Sequence, residues 1–374
     1  MSEAEVKGWC PGAWKPMMSG DGLIVRVRPQ RAALSTDQAL GLCDLALQFG
    51  SGVIDLTNRA NLQIRGVKED AHEALLQALA ALDLLDADPE LESRRNILTA
   101  PFWQRGDKTA RLARMVAEAL PRLPELPAKV GIAIDTGPAP ILVEDPADFR
   151  FERAARGLIL RADGCARGRE VTDDTAIDAL VEMAEWFAEH RTGSRRRMAQ
   201  VLCAARLPKG WDKTPPKSRA PRPVPGPHGM GALVGLPFGQ IEAQALRDLL
   251  ATQDVRGLRI TPWRMLLLEG ADMPEGGGFV TDPDDPILTV DACPGAPFCP
   301  QSTVETRDLA RQLAPAVTGG LHVSGCAKGC ARKAAAEVVL VGREGRFDLV
   351  HKGHAWDEPA QTGLTPQDIL TGAC

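Results

Sequence analysis

The chain has 374 residues, of which 44% are hydrophobic and 25% are charged. This composition is typical of a globular protein with two or three domains. A net charge of −5 predicts no basic surface for nucleic acid or for an anionic membrane. No apolar run approaches the roughly 20 residues of a membrane span, and residues 1–7 lack the pattern of a secretory signal. We therefore predict a cytoplasmic protein without a nucleic-acid or membrane partner.

The first half of the chain begins with a strand–helix–strand–strand pattern. Alternating apolar residues predict a strand over 23–28, and Ser35 with Gln38 forms a capping box for the following helix. Two more strands are predicted over 53–56 and 61–65. A larger α/β segment follows, with predicted helices over 69–86, 108–120 and 173–190 and predicted strands over 130–135, 157–161 and 198–204.

Seven prolines between residues 208 and 227 indicate an extended linker. The strand–helix–strand–strand pattern recurs after it, and Thr57 and Thr261 follow equivalent strands. An internal duplication offset by about 200 residues is the economical explanation, with coincidence as the alternative because such units are common. The predicted elements of the second unit are strands over 232–236, 257–260 and 264–268 and a helix over 241–251.

The last segment is a second predicted α/β domain. Ser302 with Glu305 predicts a capped helix that extends to about residue 314. Strands are predicted over 321–324, 337–341 and 346–350. The predicted class is thus α+β, divided into residues 1–68, 69–206, the linker 207–228, 229–280 and 281–374.

Four of the nine cysteines form two close pairs near the end of the chain. They read Cys293-Pro-Gly-Ala-Pro-Phe-Cys299 and Cys326-Ala-Lys-Gly-Cys330, a C-x5-C pair followed by a C-x3-C pair. In a reducing compartment, clustered cysteines are more often metal ligands than disulfides. Four thiolates suit an iron–sulfur cluster or a zinc ion. The wide first spacing favours a 4Fe-4S cluster, because zinc sites use shorter C-x2-4-C pairs.

The other cysteines are predicted to have no role in metal binding. Cys43 and Cys203 lie in apolar stretches and are expected to be small buried residues. Cys165 is predicted to be a loop thiol, and Cys374 is the terminal residue. For Cys10 we favour a structural turn over a ligand, because no second cysteine lies near it.

The cysteine pairs and two arginine motifs resemble those of the sulfite and nitrite reductase family. Leu56-Thr-Asn-Arg59-Ala-Asn-Leu-Gln63 is similar to its strand motif whose arginine faces a tetrapyrrole, and Ser93-Arg-Arg95-Asn96 to its second Arg-Asn motif. The resemblance covers nearly the whole chain. It implies a duplicated nitrite/sulfite reductase-like architecture, with two ferredoxin-like half-domains, two α/β domains and a 4Fe-4S cluster on the four cysteines.

Further motifs resemble family members that act on precorrins in aerobic cobalamin biosynthesis. They are Gly8-Trp-Cys-Pro-Gly12, Ser19-Gly-Asp-Gly22, His322-Val-Ser-Gly-Cys-Ala-Lys-Gly-Cys-Ala331 and Val341-Gly-Arg-Glu-Gly-Arg-Phe-Asp-Leu349. This resemblance implies a monooxygenase that hydroxylates precorrin-3A at C20 with dioxygen and closes the ring A acetate to a γ-lactone. It also implies an oxygen-activating centre, an additional non-haem iron or sirohaem, although the sequence shows no 2-His-1-carboxylate spacing for one. NADH is the expected ultimate electron donor, acting through a separate reductase.

The resemblance assigns catalytic roles to Arg59, Arg95 and Lys129. One departure from the family pattern concerns its Leu-Pro-x-Lys-x-Lys motif, which holds a small anion. Here Leu126-Pro-Ala-Lys129-Val-Gly131 keeps only the first lysine. Because reduction of a small oxyanion needs dense positive charge, Gly131 argues against that reaction and for a larger substrate.

Arginines are the predicted substrate-binding residues, since guanidinium groups bind carboxylates bidentately and a precorrin carries acetate and propionate groups. The candidates are Arg26, Arg28, Arg59 and Arg95. For Arg26 and Arg28, a solvated surface position is an equal alternative. Two other functions stay open: a sirohaem-dependent sulfite or nitrite reductase, and a non-catalytic iron–sulfur electron carrier or tetrapyrrole-binding subunit.

Overall fold

The structure is a computed structural model that describes residues 11–373. The prediction for Cys10 and the first residues of the Gly8–Gly12 motif lie outside this range, as does Cys374. Residues 11–373 form four five-stranded sheets. Two are antiparallel and share one hydrophobic core, and the other two are mixed sheets with cores of their own. None of the helices within residues 11–373 is both long and apolar enough to cross a bilayer.

The two antiparallel sheets exchange an edge strand between the halves of the chain. The first sheet has the order Met17–Ser19, Gly22–Val27, Leu62–Val67, Val53–Leu56 and Gln240–Glu242. The second has the order Gly226–His228, Gly231–Gly235, Met265–Glu269, Gly257–Ile260 and Ala33–Ser35. Each half therefore completes the sheet of the other, and this reciprocity supports the predicted duplication.

The helices that follow the exchanged strands pack against each other. They are Thr36–Phe49 and Ala243–Thr252. The predicted capping box is confirmed, because the Gln38 amide donates to the Ser35 hydroxyl and the Ser35 amide donates to the Gln38 side chain. Arg247 forms an ion pair with Asp44 across this contact, at 2.8 Å.

The two mixed sheets have the same topology, with three parallel strands followed by two antiparallel ones. The strands of the first are, in chain order, Ile97–Thr99, Ile132–Asp135, Phe149–Arg153, Leu158–Ala162 and Arg169–Val171. Those of the second are Val290–Ala292, Leu321–Ser324, Ala336–Arg343, Arg346–Gly353 and Gln361–Leu364. The remaining α-helices are His72–Ala81, Pro89–Arg94, Lys108–Ala119, Ala176–His190, Met198–Leu202, Arg307–Leu313 and Pro366–Asp368.

Two local predictions are wrong. Residues 198–204 were expected to form a strand, but Met198–Leu202 is a helix, because the Gln200 side chain accepts hydrogen bonds from the amides of Arg196 and Arg197. The predicted cap at Ser302 is also wrong: this hydroxyl donates to the Val304 carbonyl, at 2.9 Å, and the helix begins only at Arg307.

Candidate cluster and tetrapyrrole site

The four paired cysteines lie at one edge of the second mixed sheet. Cys293 and Cys299 follow the strand Val290–Ala292, while Cys326 and Cys330 follow its parallel neighbour Leu321–Ser324. Carboxyl ends of parallel strands meet at the same sheet edge, so the two loops face each other. The Cys293 thiol is close enough to Cys299 and Cys326, and the Cys330 thiol to Cys326 and Cys293, for their charges to interact.

A glycine allows the two cysteine loops to pack closely. The Gly325 amide donates to the Cys293 sulfur at 3.1 Å. A Cβ atom at Gly325 would lie 2.7 Å from the Ser302 Cβ and 3.4 Å from the Cys293 sulfur. The position thus has room only for glycine, and its backbone approaches the sulfur as amides approach the sulfurs of iron–sulfur clusters.

The electrostatics of the thiols fit a cationic metal group. Burial raises the pKa of Cys293, and desolvation by the surrounding residues raises the pKa of Cys330 even though part of that residue is exposed. The neighbouring thiols raise both pKa values further. Metal coordination reverses this by deprotonating the thiol outright. Across residues 11–373, no three or more His, Cys, Asp and Glu side chains are spaced to hold a single metal ion.

The remaining cysteines follow the predictions in part. Cys43 is fully buried, as expected. Cys165 is half-buried in a turn. Cys203 was expected to be buried but is exposed, because the stretch is a helix and Cys203 lies just beyond its last residue.

A cavity of about 450 Å³ lies beside the cysteines. Cys293 and Cys330 line it from the cluster side, and Cys330 is exposed. The first antiparallel sheet and the turn after its strand Val53–Leu56 also line the cavity, including Asn58 and Gln63 of the predicted tetrapyrrole motif. Four arginines complete the lining: Arg26, Arg65, Arg264 and Arg307.

Two of these arginines are held by the first sheet. Arg26, one of the candidate substrate-binding arginines, donates to the Gln63 side-chain oxygen at 2.8 Å. Arg65 is buried between Asp21 and Asp55, with ion pairs of 2.9 Å and 3.2 Å. Such buried pairing holds the guanidinium in one orientation at the cavity wall.

Arg264 and Arg307 reach the cavity from the second half of the chain and were not predicted. Arg264 forms an ion pair with Asp291, which also binds Arg332 at 2.8 Å. Arg264 has a φ of 60° in the loop after Thr261. The equivalent loop after Thr57 carries the arginine motif of the first half, so the duplication could have pointed to Arg264.

The duplication also shows why only the first antiparallel sheet presents its cross-strand ion pair to this cavity. The cross-strand ion pair Asp55–Arg65 has its equivalent in Arg259–Glu269, with the acidic and basic residues interchanged. There, the Trp103 ring lies over the Arg259 guanidinium, 3.4 Å from ring centre to Cζ. An aromatic side chain thus covers the second face, whereas the first face stays open to the cysteines.

Of the four predicted substrate-binding arginines, only Arg26 lines the cavity, and Arg59 lies beside its lining residue Asn58. Arg28 and Arg95 lie elsewhere. Arg28 is buried and forms an ion pair with Glu92 at 3.3 Å. Arg95 binds Asp86 through two nitrogens, at 2.7 Å and 3.0 Å, and lines a different cavity of about 270 Å³. Each guanidinium charge is therefore neutralised by a carboxylate that the sequence motifs did not reveal.

Arg59 and Lys129, two predicted catalytic residues, lie next to each other. Arg59 donates to the Lys129 carbonyl at 2.7 Å, and the Lys129 side chain is exposed. A Cβ atom at Gly131 would lie 3.5 Å from a terminal nitrogen of Arg59. The guanidinium thus occupies the space beside Gly131, where the family motif has its second lysine.

Comparison with known proteins first identifies the fold. Residues 15–82 match the protein-family model described as "Nitrite/Sulfite reductase ferredoxin-like half domain". The fold matches the solved structure of the Mycobacterium tuberculosis NirA protein, with a TM-score of 0.64 and 18% identity over 93% of this chain and 79% of that one. The predicted duplicated α+β fold of the sulfite and nitrite reductase family is thereby confirmed.

The particular resemblance is to precorrin-3B synthase. The chain is 29% identical to "Precorrin-3B synthase" from Sinorhizobium sp, over 93% of this chain and 83% of that one. It is 23% identical to "Ferredoxin--nitrite reductase" from Synechococcus elongatus, over 91% of this chain and 80% of that one. The predicted resemblance to a precorrin-modifying enzyme is therefore confirmed.

Proposed function

We propose that this chain is an oxygen-dependent precorrin-3B synthase. It hydroxylates precorrin-3A at C20, and the ring A acetate closes to a γ-lactone. One oxygen atom of dioxygen enters the product and the other leaves as water, with two electrons supplied by NADH through a separate reductase. The observation that carries the proposal is the cavity of about 450 Å³ with cysteine thiols on one wall and four arginines around it.

The arginines account for binding of the substrate. A precorrin has carboxylates around its rim, and guanidinium groups bind them with two parallel hydrogen bonds. Arg26 and Arg264 reach the cavity from different halves of the chain, so they can contact different edges of one flat macrocycle. Gln63 fixes the orientation of Arg26, and Asp291 fixes that of Arg264.

The charge balance around the predicted anion-binding residues disfavours reduction of sulfite or nitrite. A small oxyanion needs dense, uncompensated positive charge. Here Glu92 neutralises Arg28, Asp86 neutralises Arg95, and Gly131 replaces a lysine. A larger substrate with its own carboxylates does not require that charge in one place.

The cysteines account for the electron supply. A 4Fe-4S cluster on Cys293, Cys299, Cys326 and Cys330 would deliver electrons one at a time. Cys330 is exposed at the cavity and is therefore the thiol best placed to contact a second iron centre, either an additional non-haem iron or sirohaem. The chain itself contributes the binding, orientation and enclosure of the substrate.

The decisive experiment is anaerobic purification followed by iron, sulfide and haem quantification and a turnover assay. We expect precorrin-3A, isotopically labelled dioxygen and a reductant to give a lactone with one labelled oxygen atom. A strong haem band with sulfide or ammonia formation would favour the reductase alternative. A reducible cluster without product would favour the carrier or binding subunit.

Arg59→Ala should weaken precorrin-3A binding by roughly tenfold or more, the loss expected when a hydrogen bond to a charged group is removed. Arg59 is half-buried beside Asn58, which lines the cavity. The visible spectrum of the cluster should not change. Arg114→Ala is the matched control, because Arg114 is exposed and pairs only loosely with Glu118, at 3.9 Å. Equal affinity in all three proteins would remove Arg59 from the binding site.

A further inference from the structure

Arg307 lies where the cavity meets the cysteine loops. It is the first residue of the helix Arg307–Leu313 and lines the cavity together with Cys293. Its guanidinium is near enough to the Cys293 thiol for the two charges to interact. Its place in the sequence, eight residues after Cys299, carries no motif that would have indicated a role.

The backbone holds Arg307 in a fixed relation to Cys293. The neighbouring Thr306 hydroxyl donates to the Cys293 carbonyl at 2.6 Å. Thr306 is almost completely buried, and a Cβ atom at Gly295 would lie 2.7 Å from its hydroxyl oxygen. The start of the helix is thus tied to the first cysteine loop, so the arginine cannot move far from the thiols.

The hydrogen-bonding capacity of Arg307 is incompletely used. Its Nε atom is buried and has no hydrogen-bond partner within residues 11–373. The nearest carboxylate, Asp55, lies 3.8 Å from a terminal nitrogen, beyond hydrogen-bond distance. That carboxylate already accepts hydrogen bonds from Arg65, at 3.2 Å, and from Gln240, at 3.3 Å.

A buried guanidinium with an unmet donor indicates a missing acceptor. Burial and the nearby charge of Arg65 both act to lower the pKa of Arg307, against Asp55 and Cys293. An anion at this point would therefore gain both a charge-assisted hydrogen bond and an electrostatic attraction. Arg307 lines both the neighbouring cavity and this one. Because it lines this cavity together with Cys293, an anion bound here can reach it.

We infer that Arg307 binds a carboxylate of the tetrapyrrole substrate at the cysteine end of the cavity. This inference rests on the proposed function. Arg264 and Arg26 then hold other carboxylates along the cavity. Arg307 thus decides which edge of the macrocycle faces Cys293 and Cys330, and so which carbon lies near the redox centre.

Uroporphyrin, a stable tetrapyrrole whose acetate and propionate groups are free acids, tests the inference in a binding assay. Its fluorescence quenching is measured with the wild-type holoprotein, Arg307→Gln, Arg307→Lys and Arg311→Gln. Arg311 is the matched control, one turn further along the same helix, because it lines a neighbouring cavity and is paired with Asp308 at 2.8 Å. An uncharged porphyrin with polyether substituents reports binding without carboxylates.

We expect Arg307→Gln to bind uroporphyrin at least about tenfold more weakly than wild type. Arg307→Lys should lose less, because it keeps the charge but not the planar fork, and Arg311→Gln should match wild type. The uncharged porphyrin should bind all four proteins equally. If Arg307→Gln fails to fold, the test depends on Arg307→Lys. A lower affinity of this variant for uroporphyrin, with unchanged affinity for the uncharged porphyrin, supports the inference. An unchanged affinity for uroporphyrin refutes it.

Two outcomes would contradict these expectations differently. Equal affinity of wild type and both Arg307 variants for uroporphyrin would overturn the inference and leave the proposed function intact. If the wild-type protein bound neither the porphyrins nor precorrin-3A, the proposed function would be overturned and this inference with it.

Discussion

Cys326→Ser should abolish the broad visible absorption of a 4Fe-4S cluster and the formation of precorrin-3B together. Cys326 lies at the carboxyl end of a central strand, and its charge interacts with those of Cys293 and Cys330. A serine hydroxyl is not deprotonated at neutral pH and is a far poorer ligand for iron than a thiolate. Iron and sulfide content, visible absorption and product formation are measured on the same anaerobic preparation.

The control for this substitution is Cys203→Ser. Cys203 is exposed, and its thiol donates to the Ala199 carbonyl one turn earlier, at 3.3 Å. Its iron content and activity should equal those of wild type. If the Cys326→Ser protein lost the absorption but still formed product, the proposed role of the cluster in electron supply would be wrong.

Gly325→Ala should prevent the two cysteine loops from closing around a cluster. The added Cβ atom would lie 2.7 Å from the Ser302 Cβ, and overpacking of this kind costs about 1–3 kcal/mol. Because Gly325 also donates to the Cys293 sulfur, a shift of the loop would move a predicted ligand. We expect a lower iron content and a lower unfolding temperature, measured by metal analysis and thermal unfolding.

Two further variants separate a steric effect from a general loss of stability. Gly193→Ala is the matched control, since a Cβ atom there meets nothing within 4 Å. Ser302→Gly combined with Gly325→Ala removes the clashing atom and should restore part of the iron content. A Gly325→Ala protein with full iron and wild-type stability would show that the loops tolerate a wider separation.

Regular elements were predicted well where the local pattern was complete. The helix Lys108–Ala119 begins with an Asp107 cap, and its apolar positions share one face. The strand Val53–Leu56 has the predicted limits. Predictions failed where a polar side chain bonds to the backbone in a way that the local pattern does not show. The apolar stretch 198–204 resembles a strand, but hydrogen bonds from two backbone amides to the Gln200 side chain initiate a helix there.

The reciprocal exchange of edge strands could not be predicted from local sequence patterns. The segments Ala33–Ser35 and Gln240–Glu242 are only three residues long and carry no hydrophobic alternation of their own. Their pairing depends on the sheet of the opposite half, which lies about 200 residues away in sequence. Short edge strands of this kind are determined by long-range hydrogen bonds and not by local propensity.

For the site, the sequence by itself determined which functional groups are present. They are four cysteines in two pairs, on a duplicated scaffold, with a glycine in place of a lysine. Only the tertiary structure decided which arginines can serve a substrate. Arg28 and Arg95 are neutralised by Glu92 and Asp86, while Arg264 and Arg307 reach the cavity. The physical reason is that folding, not spacing in the chain, decides whether a guanidinium lies at the cavity and which carboxylate pairs with it.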